Sequence, residues 1–350
     1  MKKIVALILS LCMVFALCAC GSSAPSSTAA PIEAASSDAK ADKPEYEWTL
    51  AHHLAESSQQ HLGYVKLADD LYEKSNGRIK LNISSGAALG SQRELIEQCN
   101  LGTIEFAHSE ASLLANYCEE FGLICMPFLF ADEDQYVNIA NNVIGDQLND
   151  ILTAKTNMRN VAWIYGGTRD VYSTKPLTGI ESLAGLKIRT PESPVFVQSF
   201  QAMGANPTPV AANEMYTAIQ QGVVDAMEGS LETGYNFKIY EVAKNCLQTS
   251  HILAGVDLVM NNAVYTALPD DLKAVLNECL ADMIAYEGQL VADSNEKYYD
   301  LLVSEGVVFT QLSDEERAAA KEMVAGVSDD YIGTNETMRS IYDQIVDATK

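Results

Sequence analysis

Along residues 46–350 the apolar positions recur with two periods in turn, which predicts strands and helices alternating in an α/β chain. Residues 46–51 alternate apolar and polar and predict a strand. A helix follows over about 58–75, with Leu62, Val65, Ala68 and Leu71 on one stripe. Gly77 ends it, and RIKLNIS (78–84) has the period of a half-buried strand. Ser91-x-x-Glu94 is a capping box that opens a helix stopping at Gly102, and Ser313-x-x-Glu316 is a second one. Residues 104–107 and 124–130 are short apolar runs that predict buried strands, and Gly204 and Gly222 fall where helices would end. No internal repeat is present. From 270 to 305 there is no proline and one glycine, Gly288, with an apolar stripe through Leu272, Val275, Leu276, Cys279, Met283, Tyr286 and Leu290. As one helix this stretch would run ~50 Å, long enough to cross two domains; a break near Gly288 would instead give two helices.

The N-terminus stands apart from this pattern. Lys2 and Lys3 precede an uncharged apolar run over 4–16, too short for a membrane span of ~20 residues, and Leu17-Cys18-Ala19-Cys20 ends it. That ending resembles a bacterial lipobox, which implies a signal peptide over 1–19 and lipidation of Cys20; an ordinary secretory signal is the alternative. Residues 20–45 are mostly Ser, Ala, Pro, Thr and Gly after the cysteine, a composition that buries too little to order itself. As a tether of about 25 residues its root-mean-square reach is roughly 27 Å.

The 350 residues carry 23 basic and 47 acidic side chains, a net charge of −24. Loss of residues 1–19 with their two lysines takes the charge to about −26, which disfavours nucleic acid and anionic membrane surfaces as partners. Attachment to a membrane would then be through the N-terminal lipid alone. Cys99, Cys118, Cys125, Cys246 and Cys279 form no metal-ligand spacing, and either a Cys118–Cys125 disulfide or buried thiols would suit them. The motifs of hydrolases, metalloproteases and nucleotide-binding loops are missing, so a non-catalytic protein without metal or cofactor is expected.

Against this acidic background two arginines stand out. Arg169 follows Gly166-Gly167, and Arg189 precedes Thr190-Pro191, each at the expected end of a strand with turn residues beyond. A helix opening at Pro194 would add N–H donors and the positive end of its dipole. Guanidinium forks match a carboxylate through two parallel hydrogen bonds, so the pair points to a small organic anion. Glu110 and Glu228 are acids at strand ends, suited either to receiving ligand hydroxyls or to an ion pair with the arginines. His52 and His53 are adjacent on a strand and therefore face opposite sides.

These features lie within longer runs: SSGAALGSQRELIEQCNLGTIEFA, MPFLFAD, GGTR, LAGLKIRTPESP, GANPTPV, EMYTAIQQGVVDAMEG and IYEVAKN. In that order and spacing, over nearly all of 46–345, the chain resembles the solute-binding proteins of tripartite ATP-independent periplasmic (TRAP) transporters, the DctP family. The resemblance implies a two-lobed, periplasmic-binding-protein-like (type II) α/β fold with a long helix spanning both lobes. One lobe would hold 46–166 and about 255–292, the other 167–254 and about 293–350. It implies capture of a carboxylate-bearing solute for a small and a large membrane subunit that import it on a sodium gradient. By position, Arg189 matches the family's principal carboxylate-binding arginine, Arg169 the second, Glu110 a ligand-facing glutamate of sugar-acid binders, and His52 a histidine of uronate-type members. Ala51 replaces that motif's glycine, while Met227-Glu228-Gly229-Ser230 and Ala212-Asn213 depart from the family pattern. The expected ligand is a sugar acid such as a uronate or aldonate, with Glu110, His52, Asn213 and Glu228 reading hydroxyls. The alternatives are a C4-dicarboxylate or other organic acid, a sensor subunit presenting ligand to a membrane kinase, and a hydrolase of acidic sugars.

Overall fold

The computed structural model describes residues 43–350, so Cys20 and the signal and tether segments lie outside the described residues. Among the described residues nine strands form one mixed sheet: β1 (Tyr46–Ala51), β2 (Ile79–Ser84), β3 (Phe106–Glu110), β4 (Met158–Ser173), β5 (Lys187–Thr190), β6 (Asn206–Pro209), β7 (Ala226–Gly229), β8 (Asn245–Asn261) and β9 (Val308–Gln311). Their order is β2-β1-β3-β8-β4-β7-β5-β6, with β9 also on β8. Both β4 and β8 are long, and together they join two half-sheets. The far end of β8 pairs with β3 through Phe106↔Met260 to Glu110↔Val256, whereas its near end pairs with β9 from Asn245↔Val308 to Gln248↔Gln311. On β4 the near end, Met158 to Tyr165, pairs with β8 alone, and Asp170 to Ser173 pair with β7.

The β4–β8 ladder slips between the halves, with register shifts between Tyr165 and Thr168 and again between Arg169 and Val171. Gly166 and Gly167 occupy the first slip. Gly167 has φ 100°, a conformation closed to most side chains, and a Cβ there would press on Ser230. Bulges of this kind bend and twist a ladder without cutting it.

The helices that position the site are α1 (Gln59–Lys74), α2 (Gln92–Leu101), α3 (Pro194–Ala202), α4 (Leu231–Asn236), α5 (Asp270–Ser304) and α6 (Asp314–Met323). Ser91 and Ser313 make the reciprocal bonds of full capping boxes, and Gly102 ends α2 in the left-handed conformation. The 270–305 stretch is a single helix of 35 residues, α5. Its buried face runs Leu272, Leu276, Leu280, Met283, Glu287 and Val291, so Tyr286 and Leu290 fall off the stripe and a carboxyl falls on it. Helix α1 is likewise rotated from its expected stripe: Gly63, Tyr64, Leu67 and Leu71 are buried, while Leu62 and Val65 are exposed. The small Gly63 lets α5 approach closely, which sets that face inward.

Residues 124–130 are not a strand. A 3-10 turn, Glu119–Cys125, leads into an irregular segment whose apolar side chains still enter the core. Burial fixes the apolar composition of such a run but not its backbone, and its length alone fits either class. All five cysteines of the described residues are free and buried, Cys118 against Glu120 at 3.1 Å, so no Cys118–Cys125 disulfide forms.

Candidate functional site

The polar residues of the central cleft come from the carboxyl ends of parallel strands in both half-sheets, where an α/β sheet leaves groups free for a ligand. β1 hands on to His52 and His53, β3 ends at Glu110, β5 carries Arg189 and β7 carries Glu228. Arg169 differs from expectation. It lies inside β4, just past the slip at Gly166-Gly167, and the strand runs on to Ser173 because Val171 and Tyr172 are core residues.

Arg169 is 6% exposed and grips Glu228 with two groups: Nη2 donates to Oε1 at 2.7 Å and Nε donates to Oε2. Its Nη1 stands 3.7 Å from Glu110 Oε2, and its guanidinium carbon lies 5.2 Å from the centre of the Phe196 ring. Glu228 is fully buried, with His251 Nε2 3.7 Å from its Oε2 and the His251 ring held through Nδ1 by Thr249 at 2.7 Å. Burial alone would raise the Glu228 carboxyl, but Arg169 and His251 outweigh it and hold the group at about 2. Burial likewise opposes the Arg169 charge, and Glu228 more than restores it.

Arg189 is placed differently. It is 4% exposed, its Nε donates to Val210 O at 2.8 Å, and its Nη1 is 3.9 Å from Glu228 Oε1, outside hydrogen-bond range. Burial lowers this guanidinium to about 10; Glu228 offsets part of that and Arg169 adds to it. It remains cationic at neutral pH while Glu228 is committed to Arg169. The cleft floor therefore holds a desolvated cation with room for an anion.

About 550 Å³ of space opens above, lined by both arginines, Glu110, His53, Gln92 and Phe237 among others. A chamber of about 460 Å³ adjoins it, sharing Glu110, Arg169 and Phe237 and reaching Gln60, Glu232 and Asn236. Across the mouth, Arg93 of α2 meets Glu192 of the other half at 3.1 Å, and Asn116 donates to Glu192 O at 2.9 Å.

Three sequence-predicted residues do not face this space. His52 turns its fully buried ring to the opposite side of β1, with Nε2 3.0 Å from His61 Nδ1 and Tyr64 beside it. Its neighbour His53 takes the cleft, with Nδ1 unpartnered and burial holding the ring neutral, at about 3. Asn213 sits in the exposed turn Ala212–Glu214, and Ala211 and Ala212 supply the cleft wall instead. Glu228 lies under the floor as the counter-ion of Arg169 rather than in its wall. The helix at Pro194 forms, but Pro191 and Glu192 line the cleft, and α3 contributes Phe196 beneath Arg169.

Two further residues of the site, one in its wall and one behind Glu228, had no sequence signal beyond their neighbours. Gln92 is buried in the first turn of α2 with its Nε2 unpartnered, and only the capping box beside it marked the position. His251 was legible only as a histidine in an apolar run.

Two half-sheets bridged by long strands, with a cleft floored by buried arginines, are the features of a binding protein for small organic anions. The comparisons with known proteins agree. Residues 50–334 match the model of the bacterial extracellular solute-binding proteins, family 7 (DctP), and the chain belongs to that family, the extracytoplasmic solute-binding component of TRAP transporters. It is 29% identical over 283 residues to a solute-binding protein of Roseobacter denitrificans, covering 80% of this chain and 87% of that one. It is 30% identical over 244 residues to the sialic acid-binding periplasmic protein of Vibrio cholerae, covering 70% and 76%. Among solved structures, a TRAP solute-binding protein of Roseobacter denitrificans with bound L-galactonate superposes with TM-score 0.80 at 27% identity, over 87% of this chain and 99% of that one. One of Pseudomonas putida with bound D-glucuronate gives TM-score 0.79 at 25% identity, over 84% and 96%. Proteins of this family bind small organic acids and work with the TRAP membrane subunits. No helix among the described residues is long and apolar enough to cross a membrane.

Proposed function

We propose that this chain captures a sugar acid, of the uronate or aldonate type, and delivers it to a sodium-driven TRAP membrane pair. The observation that carries the reading is the buried Arg189, which has no carboxylate within hydrogen-bond range, beside an Arg169 already neutralised by Glu228. The ligand carboxylate would take the free Nη groups of Arg189 and the edge of Arg169. Gln92 Nε2 and His53 Nδ1, buried without partners, would take oxygens of the polyol, since buried polar groups are nearly always satisfied. Glu110 would accept from a hydroxyl. The L-galactonate and D-glucuronate held by the relatives have this composition, a carboxylate and a row of hydroxyls. We take 46–166 with about 255–292 as one lobe and 167–254 with about 293–350 as the other, the slip in β4 and β8 serving as the hinge.

A thermal-shift and calorimetric panel of D-glucuronate, D-galacturonate, L-galactonate, sialate and succinate tests the ligand class. Saturable one-to-one binding of a hexuronate or hexonate is expected, with compaction in X-ray scattering on saturation. A chain that answers only to succinate overturns the sugar-acid reading, and turnover of a bound uronide overturns the non-catalytic one.

The same reading gives the N-terminus its role: cleavage after Ala19, lipidation of Cys20, and residues 20–45 as the tether that holds the cleft near its membrane partners. Cys20→Ala should release the protein from the membrane fraction without altering ligand affinity in detergent-free binding assays. A variant that stays membrane-bound would argue for another anchor.

A further inference from the structure

The second chamber opens from the first across Glu110, Arg169 and Phe237, and its far wall is made by the start of α1 and by α4. Helix α1 is capped by Ser58 and has no acid in its own first turn. Its leading N–H groups and positive dipole end therefore favour an anion supplied from elsewhere. Glu232 of α4 supplies it, accepting from the Gln59 N–H at 3.0 Å and from Asn236 Nδ2, one turn on in α4, at 3.2 Å. Asn236 is held in its turn by Ser57 Oγ and by the Tyr298 hydroxyl of α5, each at 3.4 Å. Glu232 is partly exposed and lines the chamber. Burial pushes it to about 7 against the pull of the Gln59 and Gln60 hydrogen bonds, so at pH 8 it is mostly ionised.

Among the described residues one cation, Arg169, lines this chamber, and Glu228 already neutralises it. Two carboxylates, Glu110 and Glu232, line the same space. His108 of β3 lines it too, 2% exposed, with Nδ1 2.7 Å from the Tyr64 hydroxyl and no partner for Nε2 among the described residues. Burial, with His53 and His52 nearby, keeps that ring neutral. A buried ring nitrogen without a partner and two carboxylates that only accept are suited to hydroxyl groups. None of them compensates a second anion, which would lose its water beside two like charges.

We propose that the second chamber receives the hydroxyl-bearing far end of the ligand, and that Glu232, seated on the α1 N-terminus, bars a second carboxylate from it. The protein then selects aldonates and uronates over the aldarates of the same carbon chain. This rests on the sugar-acid reading: with the ligand carboxylate on Arg189 and the edge of Arg169, the carbon chain leads past Glu110 into the second chamber. The charges make the same selection. Arg189, with no carboxylate in hydrogen-bond range, compensates a single ligand charge, and the N-terminus that would welcome another is filled by the protein's own anion.

L-Galactonate and galactarate isolate the point, since they share carbon chain and hydroxyl arrangement and differ in a terminal CH2OH or carboxylate. Calorimetry at about pH 8 should find galactarate the weaker ligand by roughly a hundredfold or more, as like-charge contacts demand. Glu232→Gln keeps an oxygen for the Gln59 N–H but drops the charge. It should tighten galactarate and bring the two acids within about tenfold, whereas Glu232→Asp keeps the wild-type preference. A merely structural role would weaken both acids alike, and an unchanged ratio in Glu232→Gln overturns the proposal. So does equal affinity for the two acids in the wild type, whatever the variants do. If neither sugar acid binds, the sugar-acid reading fails, and 4-hydroxybutyrate against succinate puts the same question by thermal shift. A response to 4-hydroxybutyrate alone in the wild type, with succinate gained in Glu232→Gln, supports the exclusion. A wild-type response to succinate, or no response to either acid in either protein, overturns it.

Discussion

Arg189→Ala is expected to weaken binding of the cognate acid by two orders of magnitude or more while leaving the unliganded protein as stable as the wild type. The two halves of that expectation have one cause. Arg189 is desolvated and keeps only the hydrogen bond from Nε to Val210 O, with Glu228 beyond hydrogen-bond range at 3.9 Å. In the unliganded state its removal takes away a strained charge and few contacts. In the bound state it leaves a carboxylate buried beside a single, already neutralised arginine. Truncating one partner of such a pair costs about 3–5 kcal/mol, and each 1.4 kcal/mol is about a factor of ten. Arg189→Lys should recover only part of the loss, because a point charge cannot form the two parallel bonds. Calorimetry paired with urea unfolding checks both halves, and wild-type affinity in Arg189→Ala would remove Arg189 from the site.

Glu228→Gln should do the reverse and strike stability first. The substitution keeps the shape but takes away the carboxylate that Arg169, 6% exposed, grips with two groups, leaving only Glu110 at 3.7 Å as an anion, and His251 cannot supply one. A loss of about 3–5 kcal/mol in urea unfolding is expected. The pH dependence follows from the carboxyl itself, held at about 2 when folded against 4.5 ordinarily. A group depressed in the folded state gives its full stabilisation above 4.5, and loses it as pH falls from 4.5 to about 2. The wild type should therefore lose roughly 3 kcal/mol across that interval from this group, and Glu228→Gln should show a shallower profile there. Parallel acid profiles for the two proteins would mean that Glu228 is not the ionised partner of Arg169.

How much of this was legible in the sequence depends on what kind of information each feature carries. Capping boxes at Ser91 and Ser313 and the unbroken 270–305 helix are local, and the structure has them where expected. The two arginines were legible because a cation beside glycine or proline turns is rare in so acidic a chain. The choice between His52 and His53 was not. A period of two says that adjacent residues face opposite ways, and only the packing of α1, with His61 and Tyr64, decides which way is inward. The roles of Glu228 and Gln92 were hidden for a similar reason. An acid at a strand end reads the same whether it faces a ligand or sits under an arginine, and the difference is made by β4, far away in the chain. The run at 124–130 shows the limit of hydrophobicity itself, which reports depth and not backbone shape.

The shared strands β4 and β8 also decide when this protein can fold. Neither half-sheet is complete until the chain has been made as far as Asn261, because β3 pairs with β8 from Phe106↔Met260 onward and the other half needs β8 and β9. Contacts between residues so distant in sequence make for slow folding. An emerging chain thus completes its fold later than one built from local contacts, and a chain cut short before Asn261 would leave both half-sheets without the strand they share.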